Sequence, residues 1–523
     1  MREGFEMASE NKSWIQLIPL TLTPPSLKDN IADADRLFKS LRKSLNAEAV
    51  SIDFNLLKKI PASLRNHHYN VQALVYTQNQ SWHLIDLLPI DIKEYYGLAV
   101  DLGTSTVVTR LVRLNDGQTI DEKSFLNPQT DIGVDILTRI HLCSREGGLE
   151  KLQSLIVTGL NHCILDIIHK HHLDPNLIAG LTLAGNTTMT HLFLGLDPYW
   201  LCREPYIPVI NRIEPIKAST LGLNINPHAP VMVFPNVGSY FGGDLIAGIL
   251  ASGLNHQEEV SILVDVGTNA EVVLGNRDWL MACAGAAGPA LEGGVAKMGM
   301  MAGPGVIDKV VYDPASDEFQ LRTINNDPPI GICGSGVIDM TAQLFLAGFI
   351  DMRGKFVTEK CRNRLTVIDG MKHFVIVPTD SSGTGQALTL SQPDIDSLLR
   401  SKAAMHTILI TITKMINLSM NDLKKFYVAG TFGSYIDPQS AITIGMIPDL
   451  PLETFVPLGN TSLEGATKAL LSAEAQTEIY RIRDQITYIE LNVNQEFMNR
   501  FSASKFIPHT DIDRFPSVKK LIS

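Results

Sequence analysis

The sequence predicts an α/β protein built from two related lobes and preceded by a small α+β module. Three observations carry that expectation. The segment LAVDLGTSTVV at 98–108 returns as ILVDVGTNAEVV from residue 262, and an internal duplication constrains a whole fold more than any single motif does. From Tyr96 onward, buried-type strands alternate with glycine-rich turns and long helices, the pattern of an α/β protein. The chain has 523 residues, 45% hydrophobic and 19% charged, enough to bury more than one core.

The elements are expected in the following order. Residues 1–20 form a tail entering the strand IQLIPLTL. A small α+β module over 21–95 opens with Pro24-Pro25, after which Ser26 is placed to cap a helix through LKDNIADADRLFKSLRKSL, with Leu27, Ile31, Ala34, Leu37, Phe38 and Leu41 at helical spacing. VQALVYT and WHLIDLLPI read as strands of that module. The first lobe is expected over 96–255 and the second over 256–460. Residues 461–523 should supply a helix and a strand that return to the first lobe. LEKLQSLIVTGLNHCILDIIHKHH is a helix of the first lobe. A second long helix follows Ser391 and Pro393.

Composition excludes several classes. The formal net charge is −11 and no strongly basic stretch is present, so a nucleic-acid footprint is missing. A phosphorylated ligand remains compatible with that charge, because loop amides and a bound metal hold phosphate without a basic surface. The six cysteines, at 143, 163, 202, 283, 333 and 361, form no CxxC, which argues against a disulfide framework or a structural zinc site. No signal peptide and no membrane-length apolar run is found, so a cytoplasmic protein is expected.

Each copy of the duplicated segment reads strand, D-x-G-T-[S/N], strand. Asp101 and Asp265 stand where their strands end. Gly103 and Gly267 allow a tight turn with no Cβ in the way. The amides that follow can face phosphate oxygens, with hydroxyl or amide donors from Thr104, Ser105 and Thr106 in the first loop and Thr268 and Asn269 in the second. Two carboxylates opposed across a cleft suit a hydrated Mg²⁺, here Asp101 and Asp265 acting through water. A single D-x-G-T is equally an ordinary hairpin turn; two copies with matched flanks are much less so.

Two more segments extend the set. FYVAGTFGSYID at 426–437 is a strand followed by the glycine turn Gly430-Thr431-Phe432-Gly433, which would let a base and ribose approach the backbone. ICGSGVIDMTAQLF at 332–345 places Gly334, Ser335 and Gly336 at a helix start. Two phosphate-type loops followed by an adenosine-type turn resemble the motif order of the actin-like ATPase superfamily, over nearly all of 96–475. That resemblance implies two RNase-H-like lobes hinged around ATP and Mg²⁺. It also implies that an acidic or amide residue near the inter-lobe segment orients the attacking group. Asp244, after Gly242-Gly243 in VGSYFGGDLIAGIL, is the candidate; a carboxylate satisfying its own helix amides is the alternative.

Finer segments resemble one family within that superfamily, the ATP-dependent reductive activators of corrinoid proteins. They are PPSLKDNIADADRLFKSL at 24–41, AGNTTMTHLFLGLDP at 184–198, FPNVGSYFGGD at 234–244, DVGTNAEVVLG at 265–275, AGAAGPALEGG at 284–294, GICGSGVIDM at 331–340 and ITYIELNVNQEF at 486–497. The resemblance covers essentially 20–510 and implies that the 21–95 module is of the family's middle type. It implies an ATPase that drives a corrinoid protein of a methyltransferase system from Co(II) to Co(I), and a homodimer. Members of the family normally carry an iron–sulfur domain, whose clusters need about four thiolates. No cysteine precedes Cys143 or follows Cys361, so no cluster is expected in this chain and the electron would come from an external ferredoxin or reductase. Competing readings are a small-molecule kinase using the same cleft, a nucleotide-dependent binding module, and an activator like those of 2-hydroxyacyl-CoA dehydratases. The last would share a cluster between two chains through Cys333 and Cys283. His169, His171 and His172 are read as a helix end rather than a metal site, and Met298, Met300 and Met301 as packing residues.

Overall fold

The computed structural model describes residues 13–267, 269–286, 298–489 and 500–523. It divides into two compact units, residues 1–251 with 462–484, and residues 252–461 with 485–523. No described helix is long and apolar enough to cross a membrane.

The first unit opens with a four-stranded sheet made of β1 (Ile15–Thr21), β2 (Val50–Ser51), β3 (Asn70–Gln78) and β4 (Ser81–Pro89), in the order β1-β3-β4-β2. Leu37, Leu41, Ile60 and Leu64, from helices Asp33–Leu45 and Ile60–Asn66, cover Val71, Ala73 and Val75. Ser26 does not cap that first helix. Its hydroxyl accepts the amides of Lys28 and Asp29 in a turn, and the Asp29 carboxylate is gripped by Arg36 at 2.7 and 2.9 Å. The helix therefore starts at Asp33, and Leu27 and Ile31, expected on its apolar face, are exposed.

The module is joined to a six-stranded sheet formed by β5 (Tyr96–Leu102), β6 (Thr106–Arg113), β7 (Thr119–Leu126), β8 (Ile178–Gly185), β9 (Ile216–Lys217) and β10 (Pro230–Val233), in the order β7-β6-β5-β8-β10-β9. β5, β8 and β10 run parallel. Alternation along the strands separates the two faces. Leu98 and Val100, in register with Leu181 and Leu183, belong to the core shared with helix Gly148–His171. On the other face, Leu470 lies over Gly97, where a Cβ would be 2.8 Å from its methyl, and the Thr182 hydroxyl donates to the Ala466 carbonyl at 2.7 Å. The Trp14 indole donates to the Leu470 carbonyl at 2.8 Å, which fastens the N-terminal module to the same helix. Helix Gly148–His171 ends as expected for its histidines: His172 takes the left-handed conformation and His171 bonds Asp121 at 2.9 Å.

The second unit repeats the plan. Its main sheet contains β11 (Ser261–Val266), β12 (Asn269–Gly275) and β13 (Leu280–Ala286). After these come two three-stranded sheets, β14 (Val306–Asp313), β15 (Glu318–Thr323) and β16 (Gly331–Ile332), then β17 (Leu365–Ile368), β18 (Met371–Val377) and β19 (Leu388–Ser391). β20 (Phe426–Ala429), β21 (Phe455–Gly459) and β22 (Ile486–Ile489) complete the main sheet, whose order is β21-β20-β11-β12-β13-β22. Three antiparallel strands followed by parallel ones thus occur in both units, β7-β6-β5-β8-β10 and β13-β12-β11-β20-β21. Ser391 and Asp394 form a capping box at the start of the long helix Gln392–Met415, which packs on β12 and β13. Met298 packs against this unit's core, whereas Met301 is exposed.

The segment after 461 does not behave as one piece. Residues 462–484 group with the first unit, but β22 adds to the edge of β13, with Cys283 opposite Ile489, and 500–523 stay in the second unit. The expected return of the whole segment to the first lobe is corrected accordingly. The helix returns because its apolar side is needed over β5 and β8; the strand stays because β13 otherwise presents an open edge.

The returning helix crosses helix Gly243–Ser252 at Gly465, where a Cβ would stand 2.2 Å from the Ala247 carbonyl oxygen and 2.6 Å from its Cα. Both obstacles are backbone. Gly465→Ala is expected to destabilise the first unit by about 1–3 kcal/mol through overpacking, read as an earlier unfolding transition in denaturant. An unchanged midpoint would mean that the two helices can move apart without loss.

Candidate nucleotide site

In the first unit, Asp101 lies one residue before the end of β5, in register with Ala184 of the parallel strand β8. The loop that follows turns at Gly103, where a Cβ would be 2.4 Å from the Thr106 carbonyl oxygen. Only glycine fits that close a turn. The loop's own carbonyls point back into the protein. Asn127 Nδ2 donates to the Gly103 carbonyl at 3.0 Å, the Asn127 amide donates to the Ser105 carbonyl at 2.8 Å, and Arg139 Nη2 donates to the Thr104 carbonyl at 2.7 Å.

Arg139 is fully buried. Its Nε reaches the Gly133 carbonyl at 2.8 Å and its Nη1 reaches Gln129 Oε1 at 3.0 Å and Met189 Sδ at 3.1 Å. No carboxylate bonds it directly, and burial pulls its pKa down to about 10, so it stays charged at neutral pH. It connects the phosphate-type loop to Met189 on helix Thr187–Leu194.

That helix begins at Asn186, whose Oδ1 accepts the Met189 amide at 2.9 Å while its Nδ2 donates to Thr104 Oγ1 at 3.0 Å. Asn186 therefore bridges the end of β8 to the loop after β5. Asp244 stands close by, in the first turn of helix Gly243–Ser252, with Oδ1 accepting the Leu245 amide at 2.9 Å. A Cβ on Gly242 would meet Asn186 Cα at 2.5 Å and Asp244 Oδ1 at 2.6 Å. The first unit thus gathers Asp101, Thr104, Asn186 and Asp244 at the carboxyl ends of β5 and β8, the edge where parallel α/β sheets hold ligands. Thr106 begins β6.

In the second unit, Asp265 occupies the equivalent place, in register with Ala429 of the parallel strand β20 and with Glu271 of β12. Gly430, at φ +82°, follows Ala429, and a Cβ on it would be 2.9 Å from Asp265 Oδ1. Gly267 is described; Thr268 lies outside the described residues, and of Asn269, Thr431 and Phe432 only the backbone is described. The sequence around Gly430 was expected to be an open turn. It is instead the start of a short helix, Gly430–Tyr435. Gly433 faces its own strand: a Cβ there would meet the Val428 carbonyl oxygen at 2.7 Å and Val428 Cγ1 at 2.8 Å, so the glycine serves helix–strand packing.

The matched registers expose a second internal echo that sequence reading missed. Ala184-Gly185-Asn186 follows Asp101's neighbour strand as Ala429-Gly430-Thr431 follows Asp265's. In both units an aspartate is paired across parallel strands with the alanine of an Ala-Gly, and in the second unit the glycine leaves room beside the carboxylate. The signal, A-G-[N/T] after a strand, is only three residues long, too short to detect without the register.

Gly334, Ser335 and Gly336 do start a helix, Gly334–Leu346, and all three are buried. Ser335 Oγ lies 3.1 Å from Cys333 Sγ, and Gly336 packs where a Cβ would be 2.5 Å from the Ile307 carbonyl oxygen. Cys333 Sγ also donates to the Ile307 carbonyl at 3.3 Å. Cys283, on β13, is fully buried, and burial pushes its thiol up to about 12. Neither sulfur is presented at a surface for a cluster shared with another chain, as a dehydratase-activator-like protein would require. Among the described residues no group of three histidine, cysteine or carboxylate side chains could hold a metal ion. A strand-end carboxylate such as Asp101 or Asp265 fits a cation that keeps most of its water shell, as Mg²⁺ does.

Comparisons with known proteins agree with this architecture. Residues 259–519 match the C-terminal domain of RACo, described as the ASKHA domain, residues 96–257 match the RACo middle region, and residues 6–94 match the RACo linker region. The α+β module is therefore the family's linker, and the name middle belongs to 96–257. The chain is 31% identical over 472 residues to the corrinoid activation enzyme RamQ of Eubacterium limosum, covering 88% of this chain and 78% of that protein. It is 24% identical over 445 residues to a [Co(II) methylated amine-specific corrinoid protein] reductase of Methanosarcina barkeri, covering 77% and 75%. A solved structure of a reductive activator for a corrinoid, iron-sulfur protein superposes with a TM-score of 0.90 at 37% identity, covering 98% of this chain and 82% of that one. With its linker, middle and ASKHA regions in that order, the chain belongs to the family of reductive activators of corrinoid proteins.

Proposed function

We propose that this chain is an ATP-dependent reductive activator that returns a corrinoid protein of a methyltransferase system from Co(II) to Co(I). The observation that carries the reading is the repeated arrangement of a strand-ending aspartate beside an Ala-Gly on the parallel neighbour, in a chain of this family. Mg-ATP supplies the free energy for an electron transfer that the cobalt potential disfavours. Asp101 and Asp265 each hold water on the ion. The backbone amides after Gly103 and Gly267, with Thr104, Ser105, Thr106, Thr268 and Asn269, receive phosphate oxygens. The helix start at Gly430, with Thr431 and Phe432, approaches the nucleoside, Gly433 packs that helix onto its strand, and the helix start at Gly334, Ser335 and Gly336 borders the site. Asp244 orients the attacking water through its place beside Asn186. Arg139 acts as a positioning residue, because it holds the Thr104 carbonyl inward and so turns the adjacent amides outward.

The electron comes from a separate ferredoxin or reductase. This chain's own cysteines support that: Cys163, Cys283, Cys333 and Cys361 are buried, and burial raises the thiols of Cys143, Cys163, Cys283 and Cys361 away from the thiolate form that binds iron.

The test is an anaerobic assay that follows corrinoid absorbance, with chain, ATP and a low-potential reductant omitted in turn. Co(I) is expected only when all three are present. Reduction at the same rate without ATP contradicts the reading, and a phosphorylated sugar or acid as product would place the chain among the kinases instead. A second expectation concerns the loop. Arg139→Met removes a charge-assisted bond to a loop carbonyl and should weaken Mg-ATP binding about tenfold or more, measured by calorimetric titration. Wild-type affinity in that variant would show that the loop holds its shape without the guanidinium.

A further inference from the structure

Helix Gln392–Met415 buries two basic residues, Lys402 and His406, where an apolar helix face would be expected. Lys402 is fully buried, with Nζ donating to the carbonyls of Phe506 and Pro508 at 2.5 and 2.7 Å. One turn further on, His406 is 3% exposed and neither ring nitrogen has a hydrogen-bond partner among the described residues. An unpaired buried imidazole costs the full desolvation of its donor and acceptor. His406 lines an open pocket of about 230 Å³ together with Thr407, Ile410, Arg500, Ser504, His509 and Arg514.

The charged groups that act on His406 are basic. Lys402, His509 and Arg514 all act on His406 to disfavour a second positive charge there, in addition to burial. His509 Nδ1 accepts the Asp511 amide at 2.9 Å, which leaves Nε2 as the nitrogen that carries its proton. The Thr407 and Ser504 hydroxyls donate to the carbonyls of Ala403 and Arg500 at 2.6 and 2.9 Å, so their protons are already used. Arg514 spends Nε on Asp511 at 3.2 Å and has no further hydrogen bond among the described residues.

We propose that this cavity is a binding site for a small dianionic oxyanion, of which inorganic phosphate is the simplest member. Such an ion accepts from His406, from His509 Nε2 and from the guanidinium of Arg514, whose positive charge strengthens the last of these bonds. A metal cation is disfavoured by the same lysine and arginines. A water molecule satisfies the ring nitrogens but leaves the terminal N–H groups of Arg514 without an acceptor among the described residues. None of the lining residues belongs to the candidate phosphate loops, so the site is additional to them.

The experiment is calorimetric titration of sodium phosphate into the full chain at constant ionic strength, with a non-hydrolysable ATP analogue and Mg²⁺ present. The expected result is one phosphate per chain, weakened about tenfold or more in Arg514→Gln and similarly in His406→Gln, with affinity for the analogue unchanged in both. Arg514 is half-exposed, so its variant keeps the fold even if that of His406 does not. Glycerol 3-phosphate distinguishes the source. Tighter binding of the ester assigns the cavity to a phosphorylated metabolite, and tighter binding of the free ion assigns it to phosphate itself. Acetate binding as tightly as phosphate overturns the dianion assignment. The proposal also fails if phosphate does not bind, if its binding disappears when the analogue is added, or if Arg514→Gln leaves it unaltered.

Discussion

Everything at the candidate site depends on one backbone pairing used twice: a strand ending in aspartate laid parallel to a strand ending in Ala-Gly. The pairing of β5 with β8 sets Asp101 beside Ala184, and that of β11 with β20 sets Asp265 beside Ala429. Parallel strands align their carboxyl ends, so the loops that leave them emerge on one edge. A side chain larger than hydrogen at Gly430 would stand 2.9 Å from the Asp265 carboxylate. At Gly185 it would stand 2.8 Å from the Leu102 carbonyl oxygen. Gly430 keeps the ground beside the Asp265 carboxylate clear, and Gly185 lets β8 close on β5 at Leu102.

The remaining architecture holds those strand ends in place. In the first unit, helix Gly148–His171 covers one face of the sheet and the returning helix at 462–471 covers the other, through Leu470 on Gly97 and Ala466 on Thr182. Arg139 and Asn127 fix the carbonyls of the first loop from inside, leaving its amides as the groups able to receive phosphate. A buried guanidinium that bonds only carbonyls, an amide oxygen and a sulfur is costly to desolvate. Its four contacts converge on the loop region, which is where that cost has a return.

The sequence made the duplicated D-x-G-T loops, the lobe pattern and the family legible, because each rests on runs of local residues with a period or a turn chemistry. What it concealed depends on distance. Arg139, Asn127 and Asn186 acquire their roles from partners that only the fold brings near. The echo of Ala184-Gly185-Asn186 in Ala429-Gly430-Thr431 becomes visible only when two strand registers are compared. Ser26 looked like a helix cap because its neighbours follow helical spacing, yet the Arg36–Asp29 pair holds that stretch in a turn. Gly433 looked like space for a nucleoside, and Val428 fills that space from behind. Strand β22 was grouped with the wrong lobe because an edge strand carries no mark of the sheet it will join.

The central claim is that the two aspartate loops serve a single nucleotide. Calorimetric titration of Mg-ATP into the wild-type chain, Asp101→Ala and Asp265→Ala tests it most directly. The account predicts one Mg-ATP per chain in the wild type and the loss of Mg²⁺-dependent binding in each variant alone. Wild-type affinity in either variant, or two independent sites of which each substitution removes one, would contradict it.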